Sequence, residues 1–542
     1  VLNGPQGTLF GRNATGGAIR IITRDPGDRT EVNGQIGYAN YETISGQAYL
    51  ATPLGENAGW NIAFTGQDMG KGFGFNSTLN KRTKQDDYWS LRSKLVLRPS
   101  ETMKVTLVGD YYSTNNDFAL QLFPVSFTNP VGSTPGGVST GPIAGQDSPA
   151  GFASGTRIRA WGLSGKIELD IGFADITSIT SYRKLKNTSA FDVDGRPANL
   201  VALEYFAPSS TIQQELRLSS AATEPLSWQF GAFYMHNVVQ QDQFQSGLGF
   251  NGLSAFPNGI CPCKLNIVAK GVTDSVSVFG EATYAITPST HLTGGVRWTS
   301  DKRQIPIGYT DSLNVNGLVI RHQTNPTYNP TGTAAIASKK FSEVTYRIAL
   351  RQDLGDNANI YASVNRGFKA GQFNLQSPFD NPVNPVIIMA YEAGIKADLL
   401  DNHLRLNIAG FHYDIKDYQV RTSAGNPPVS ALFNAAKVKI DGVDVNMEAA
   451  ITSQFRVTAG MSYLNSKYSD FGSPGNNIFA PGNYVTERTW RLVNGAPVLG
   501  AAAGTLLGGN ATGFRTALSP EFTFNANATA AGGLTTLRSL VK

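Results

Sequence analysis

The chain has 542 residues, of which 16% are charged and 10% are aromatic, with 58 glycines and a net charge of +5. This composition suits many strands joined by turns, so we expect an all-β fold. The small charge, with no basic block, argues against nucleic-acid binding. No run of about 20 apolar residues occurs, which excludes a helical membrane span. It does not exclude a membrane barrel, whose strands need only about 9–11 alternating residues.

The first 26 residues differ in character from the rest of the chain. Within residues 1–23, five glycines and one proline accompany a short apolar run at residues 19–22. The pattern predicts a compact, turn-rich element that contains a strand over residues 19–22. Gly16 and Gly17 would allow a positive φ or a close approach of two backbones there.

From about residue 31 onward, strand-like segments recur, and the gaps between them alternate between short and long. Short turns on one rim and long loops on the other are expected of an outer-membrane barrel. The predicted turns are residues 54–59, 98–102, 170–172, 221–225, 286–290, 353–357 and 399–403, and the predicted loops are residues 114–156, 242–271, 306–339, 366–389 and 467–517.

Within the predicted strands, apolar and polar residues alternate with a period of two, as at residues 103–112 and 226–234. Charged and amide side chains occupy the polar face at mid-strand, and tyrosines lie near strand ends, which favours a membrane barrel over a soluble sandwich. We count roughly 18 strands between residues 31 and 531. An apparent change of phase at Asp441-Gly442 predicts a β-bulge.

Residues 1–23 read VLNGPQGTLFGRNATGGAIRIIT and resemble the end of the plug domain of TonB-dependent receptors. Asn3 stands where that family usually has arginine. Residues 364–374, 391–396 and 434–444 resemble the family's late barrel strands and the loop among them. The resemblance therefore runs along most of the chain.

The resemblance implies a transmembrane antiparallel β-barrel of the type with about 22 strands around an internal plug. Residues 1–26 would be the end of the plug domain, residues 31–531 an incomplete barrel, and residues 532–542 an irregular tail. Both termini of the parent protein would be missing, and with them the TonB box.

The same resemblance implies a receptor in the outer membrane of a Gram-negative bacterium, surrounded by membrane lipid and lipopolysaccharide. It would take up a scarce, bulky ligand, above all a ferric siderophore and otherwise a cobalamin or a glycan, with energy delivered by TonB. A passive or structural outer-membrane pore is the first alternative. A soluble, secreted β-rich enzyme, lectin or other binding protein is the second.

Two groups of residues are candidates for function. One is the plug motif, which would shape the plug and couple it to the barrel; Arg12 and Arg24 would pair with inward barrel carboxylates. The other is a set of loop cations and aromatic rings that could hold an anionic, aromatic ligand, although ordinary loop packing explains them too. The motif residues are Gly4, Pro5, Gly7, Gly11, Arg12, Gly16 and Gly17, and the loop candidates are Phe118, Phe123, Arg366, Phe368, Lys369, Phe373, Arg488 and Trp490.

No pattern for catalysis, a cofactor or a metal stands out. Cys261 and Cys263 are too close for a spaced disulfide framework or a complete metal site, which leaves a local disulfide or two free thiols. A Gly-x-Gly-x-x-Gly match at residues 247–252 has no helix after it. Residues 192–195 lack the further ligands of a calcium loop. The five histidines occur singly. We therefore expect no enzyme.

Overall fold

A computed structural model describes residues 2–76, 80–117, 155–192, 202–221, 225–247, 263–313, 319–323, 337–378, 380–424, 429–471, 490–493, 496–499, 512–516 and 519–530. These residues form one short helix, too short to span a membrane, and 26 strands. The elements are β1 Leu2–Asn3, α1 Gly7–Phe10, β2 Gly17–Ala18, β3 Glu31–Ala39, β4 Thr43–Pro53, β5 Ala58–Met69, β6 Gly74–Asn76, β7 Lys81–Thr83, β8 Asp86–Ser100, β9 Met103–Asn116, β10 Gly155–Asp170, β11 Ala174–Asp192, β12 Ala202–Phe206, β13 Ser209–Ser220, β14 Leu226–Gly247, β15 Cys263–Thr287, β16 Thr290–Leu313, β17 Val319–Gln323, β18 Ala337–Asp353, β19 Ala358–Lys369, β20 Val386–Leu399, β21 Leu404–Ala424, β22 Val429–Ala450, β23 Phe455–Phe471, β24 Trp490–Val493, β25 Ala496–Leu499 and β26 Phe522–Ala530.

Twenty of these strands form one antiparallel sheet that curls into a barrel. Most neighbours in space are also neighbours in the chain. β12 and β13 share one position between β11 and β14, and β17 and β18 share the position beside β16. The twenty segments therefore occupy 18 positions, which confirms the predicted number. The circular order brings β26 next to β3, where the described residues show no residue-by-residue register.

The two rims differ as predicted. Seven short connections whose residues are all described, including those at residues 54–57, 171–173 and 400–403, lie on one rim, which we call the short-turn rim. On the opposite loop rim the strands reach further than predicted. β14 and β15 stay paired as far as Gly247 and Cys263, so much of the expected loop 242–271 is strand. Residues 240–246 are almost all polar and carry no apolar alternation that could reveal a strand.

The two faces of the wall follow the period of two. In β16, Val296 and Trp298 point outward and are 53% and 40% exposed. Arg297, Thr299 and Asp301 point into the lumen and are at most 5% exposed, because the N-terminal segment, defined here as residues 2–26, covers them. The apolar face therefore surrounds the barrel, and the polar face lines its interior.

The predicted bulge at Asp441-Gly442 is wrong. β22 pairs without interruption with β21 from Ile440 to Ala449, and its register shifts earlier, between Lys437 and Val438, against β23. Val438 points inward into a cluster with Val386, Ile388 and Ile415 near the loop rim. Near the loop rim, the apolar residues of β22 therefore point into the lumen, where they pack in this cluster, and further along the same regular strand they point outward.

The predicted strand over residues 19–22 is also wrong. β1 and β2 pair through Leu2 with Ala18, and the chain then continues without regular structure. Ile19, Ile21 and Ile22 are 75–85% exposed. No described strand runs alongside these residues to accept their backbone hydrogen bonds, so the apolar run stays unpaired.

The assignment of faces predicts that two arginine substitutions in β22 change the free energy of unfolding by very different amounts. Val443 points outward, so Val443→Arg in lipid vesicles should lower the free energy of unfolding by about 2–4 kcal/mol. Asn446 lines the lumen, so Asn446→Arg should change it by less than about 1 kcal/mol. Urea titrations followed by the mobility of unheated protein in SDS gels measure both. Equal losses would mean that the two faces are assigned wrongly.

Candidate functional site: the N-terminal segment inside the barrel

The helical turn of the N-terminal segment lies against the luminal wall. α1 contacts β15, β16, β18 and β19, and Thr8 is only 4% exposed. A Cβ atom added at Gly7 would lie 3.0 Å from Thr345 Cγ2 and 3.4 Å from Gly367 Cα. Glycine at this position therefore lets the turn approach two barrel strands closely.

A buried carboxylate holds the next part of the segment. Arg12 Nη1 lies 2.5 Å from Oδ1 of Asp301, which is 2% exposed, and Arg303 Nη2 lies 3.8 Å from Oδ2 of the same residue. Arg12 Nη2 also donates to Met235 Sδ at 3.3 Å. The predicted pairing of Arg12 with an inward barrel carboxylate is confirmed. Removing one partner of such a pair would leave a buried charge uncompensated.

A second buried cation supports the turn between α1 and Arg12. Arg297 donates to Ser277 Oγ at 2.5 Å and to the carbonyl of Leu9 at 3.4 Å, and its guanidinium lies 4.9 Å from the centre of the Phe279 ring. Gly11 has a φ of +78°, and a Cβ atom there would lie 3.0 Å from the Arg297 guanidinium. Only glycine satisfies both conditions without strain.

Asn13 connects the segment to the loop rim. Its backbone N–H donates to the carbonyl of Phe368, and its Oδ1 accepts from the N–H of Ala370, both at 3.0 Å. Asn13 has a φ of +66°, which asparagine tolerates better than most residues. The two bonds join the segment to the end of β19 and to the loop that follows it.

That loop, described over residues 370–378 and 380–385, packs against β21 and β15. Gln372 and Val383 form a bridge across it, and Gln419 Nε2 donates to the carbonyls of Ala370 and Asn384 at 3.2 and 2.9 Å. Between this loop and the wall lies a cavity of about 310 Å³. Its lining includes Arg303, Arg421, Gln372, Phe373 and Asn374. Arg303 thus belongs both to the Asp301 cluster and to this cavity.

The opposite wall holds the end of the N-terminal segment at the short-turn rim. Lys94 Nζ lies 2.8 Å from Asp25 Oδ1 and donates to the carbonyl of Thr23 at 2.8 Å, while Lys104 Nζ lies 2.7 Å from Asp25 Oδ2. Burial raises the pKa of the Asp25 carboxyl, but the hydrogen bonds from Lys104 and Lys94 outweigh it and hold the pKa below its usual value. Arg24, also predicted to pair with the barrel, contacts Glu31 at 2.7 Å.

The structure places the other motif residues as follows. Gly4 has a φ of +69° beside the Tyr413 hydroxyl, and Pro5 packs near Gly367. Gly17 lies in β2, and a Cβ atom added at Gly16 would touch nothing within 4 Å. Sequence reasoning missed Arg297 and Asp301, although their inward positions in β16 follow from the period of two.

The loop candidates do not converge. Arg366 pairs with Glu343 at 2.8 Å, and Phe368 is 2% exposed, so its ring presents no surface to a ligand in this conformation. Lys369 is exposed, and Phe373 alone among the described candidates lines the cavity. The side chains of Phe118, Phe123, Arg488 and Trp490 lie outside the described residues, as do those of Cys261 and Cys263. The described residues hold no metal-binding group of three or more His, Cys, Asp or Glu.

The chain matches the family model described as TonB dependent receptor-like, beta-barrel, over residues 95–539. The chain belongs to this family of TonB-dependent receptors. Members of the family are outer-membrane barrels, and this family member is therefore an outer-membrane β-barrel. The short-turn rim then faces the periplasm and the loop rim faces the exterior.

Similar proteins share the barrel. The probable TonB-dependent siderophore receptor PiuA of Acinetobacter baumannii is 25% identical over 204 residues, which are 37% of this chain and 25% of that protein. The pesticin receptor of Yersinia pestis is 20% identical over 449 residues, which are 82% of this chain and 59% of that protein. The chain thus matches less than two thirds of the length of either. The ferric yersiniabactin uptake receptor FyuA from Yersinia pestis has the same fold, with a TM-score of 0.71 at 14% identity, covering 97% of this chain and 70% of that one.

The buried pair predicts a larger effect for Arg12 than for Arg24. Arg12→Met leaves the Asp301 carboxylate without its nearest cation and should weaken the docking of residues 7–12 by about 3–5 kcal/mol. Arg24→Met breaks a pair whose arginine is 68% exposed and should cost less than about 1 kcal/mol. Hydrogen exchange of the amides in residues 7–12 measures the difference. Similar exchange in the two single variants would contradict the prediction.

The Asp25 contact predicts a loss of anchoring in acid. Because the folded-state pKa is depressed, the contribution is complete above the unfolded value of about 3.9 and is lost as the pH falls through the lower folded value. A spin label at Ile22→Cys, with Cys261 and Cys263 changed to serine, should become mobile below about pH 4. Asp25→Asn should make the label mobile at every pH. Asp28→Asn is the control, because Asp28 has no ion pair in the described part of the chain.

Proposed function

We propose that this family member is part of a receptor for TonB-energised uptake of a ferric siderophore, and that residues 1–26 are the last segment of its plug domain. The observation that carries the proposal is the position of the N-terminal segment. It runs from α1, docked on β15, β16, β18 and β19, to Asp25, held by Lys94 and Lys104 of β8 and β9. A segment that bridges the lumen obstructs it, and a passive pore has no need of one.

The docking contacts are of a kind that can be broken and restored. Besides the close approaches at Gly7 and Gly11, they include ion pairs and hydrogen bonds through Arg12, Asn13 and Asp25. Water readily replaces the exposed contacts of Asp25, whereas the buried pair of Arg12 with Asp301 resists displacement more strongly. We propose that TonB supplies the displacing force.

The cavity under loop 370–385 suits an anionic chelate. Arg303, Arg421 and the Phe373 ring line it, and guanidinium groups and aromatic rings bind anionic, aromatic ligands through charge-assisted hydrogen bonds and stacking. The names of the relatives support the ligand class, since PiuA is a probable siderophore receptor and FyuA takes up ferric yersiniabactin. Membrane lipid and lipopolysaccharide are the proposed surroundings, and no catalysis is required.

A reversible crosslink tests the proposal. In the double variant Gly7→Cys/Thr345→Cys, the two Cβ atoms would lie about 3.2 Å apart, close to the Cβ–Cβ distance of a disulfide. Cys261 and Cys263 are removed from this background. Cells relying on the full receptor should take up ⁵⁵Fe-siderophore only with TonB present and the crosslink reduced. Oxidation should lower uptake by about tenfold or more, and a reductant should restore it.

The controls are Thr345→Cys alone, which should transport under both conditions, and the double variant kept reduced, which measures any effect of the added Cβ atom at Gly7. Uptake that persists without TonB would point to a passive pore instead. Uptake that depends on TonB but ignores the crosslink would retain the receptor and refute the movement of this segment. Growth on chelated iron with individual siderophores identifies the ligand.

A further inference from the structure

Four cations form a cluster on the outer face of the barrel. In the pairing of β10 with β11, Trp161 lies opposite Lys184, and Arg159 lies opposite Lys186. Arg157, two residues before Arg159 in β10, lies on the same face, and these two arginines with Lys184 and Lys186 make up the cluster. All four cations are exposed, and no ion pair or side-chain hydrogen bond engages them among the described residues. On the same face, Glu204 of β12 lies opposite Ala190, two residues beyond Thr188.

The cluster stands directly above a belt of aromatic rings. Trp161 contacts Tyr182 at a ring distance of 5.3 Å, and Trp89 stacks on Tyr111 at 4.7 Å in the neighbouring pair of strands. From Trp161 to Ile171 at the periplasmic rim, ten residues of tilted strand span roughly 25 Å, the height of the lipid-facing band. The cations therefore lie at the depth of the headgroups in the outer leaflet.

An apolar groove lies below the rings. It encloses about 680 Å³, and its lining includes Leu95, Leu107, Leu163 and Ile212. Gly109 and Gly165 form part of its floor, and the absence of side chains there creates the depression. Its surface is mostly apolar and faces the bilayer, so it suits hydrocarbon chains.

We propose that this face binds the lipid A moiety of lipopolysaccharide, with its phosphates on the four cations and an acyl chain in the groove. Lipid A carries two phosphates and several acyl chains on one compact headgroup, which matches a cluster of four cations above one groove. Guanidinium and ammonium groups both bind phosphate through charge-assisted hydrogen bonds. A phospholipid with a single phosphate would use only part of the cluster.

The inference deepens the proposed lipid environment and rests on the outer-membrane location, not on uptake. The surface points away from the lumen, so a failure here would leave the transport proposal intact. Failure of the transport proposal would equally leave this surface unchanged. The two are therefore tested separately.

The test compares two matched cross-strand pairs. Arg159→Gln/Lys186→Gln removes half of the cluster. Lys302→Gln/Lys340→Gln removes an exposed pair on the outer face of β16 and β18, beside Asp274. The folded chain in detergent micelles is titrated into fluorescent hexa-acyl lipid A, phosphate-free lipid A and phosphatidylglycerol. A difference in SDS-gel mobility between unheated and heated protein verifies that each variant is folded.

We expect the Arg159/Lys186 variant to bind lipid A about tenfold or more weakly, and the Lys302/Lys340 variant to change by less than about twofold. Phosphate-free lipid A and phosphatidylglycerol should bind the wild-type chain more weakly than lipid A. Gly165→Leu, which fills the groove, should weaken lipid A binding with all four cations in place. Equal losses in both double variants, or equal affinity for phosphatidylglycerol, would overturn the assignment.

Discussion

A strand in a membrane wall directs alternate side chains to lipid and to the lumen, and this constraint governs the rest of the molecule. Once Val296 and Trp298 face outward, Arg297 and Asp301 must face the lumen. The charges that lipid would exclude are thereby gathered inside, where the N-terminal segment can neutralise them. The barrel and its docking site are consequences of one alternation.

The contacts of the N-terminal segment with the two opposite walls differ in how deeply they are buried. At mid-height, burial makes the contact strong, because Asp301 is nearly inaccessible to water between Arg12 and Arg303. At the periplasmic rim, Asp25 is 40% exposed, and solvent screens its pairs with Lys94 and Lys104.

Asn13 gives the docked segment a direct connection to the exterior side. Through Phe368 and Ala370 it contacts loop 370–385, which in turn covers the cavity beside Arg303. The ion cluster, the loop and the cavity therefore share residues.

The sequence by itself determined the all-β class, the number of strand positions, the two unequal rims and the pairing of Arg12 with a barrel carboxylate. These features depend on local alternation, on turn length and on a motif of 23 residues. The tertiary structure decided what depends on distant partners. Residues 19–22 look like a strand but have none beside them, and Val438 turns inward because a packed cluster fills the lumen there. Asp301 became the partner of Arg12 because barrel curvature brings together residues 289 positions apart, which no local pattern encodes.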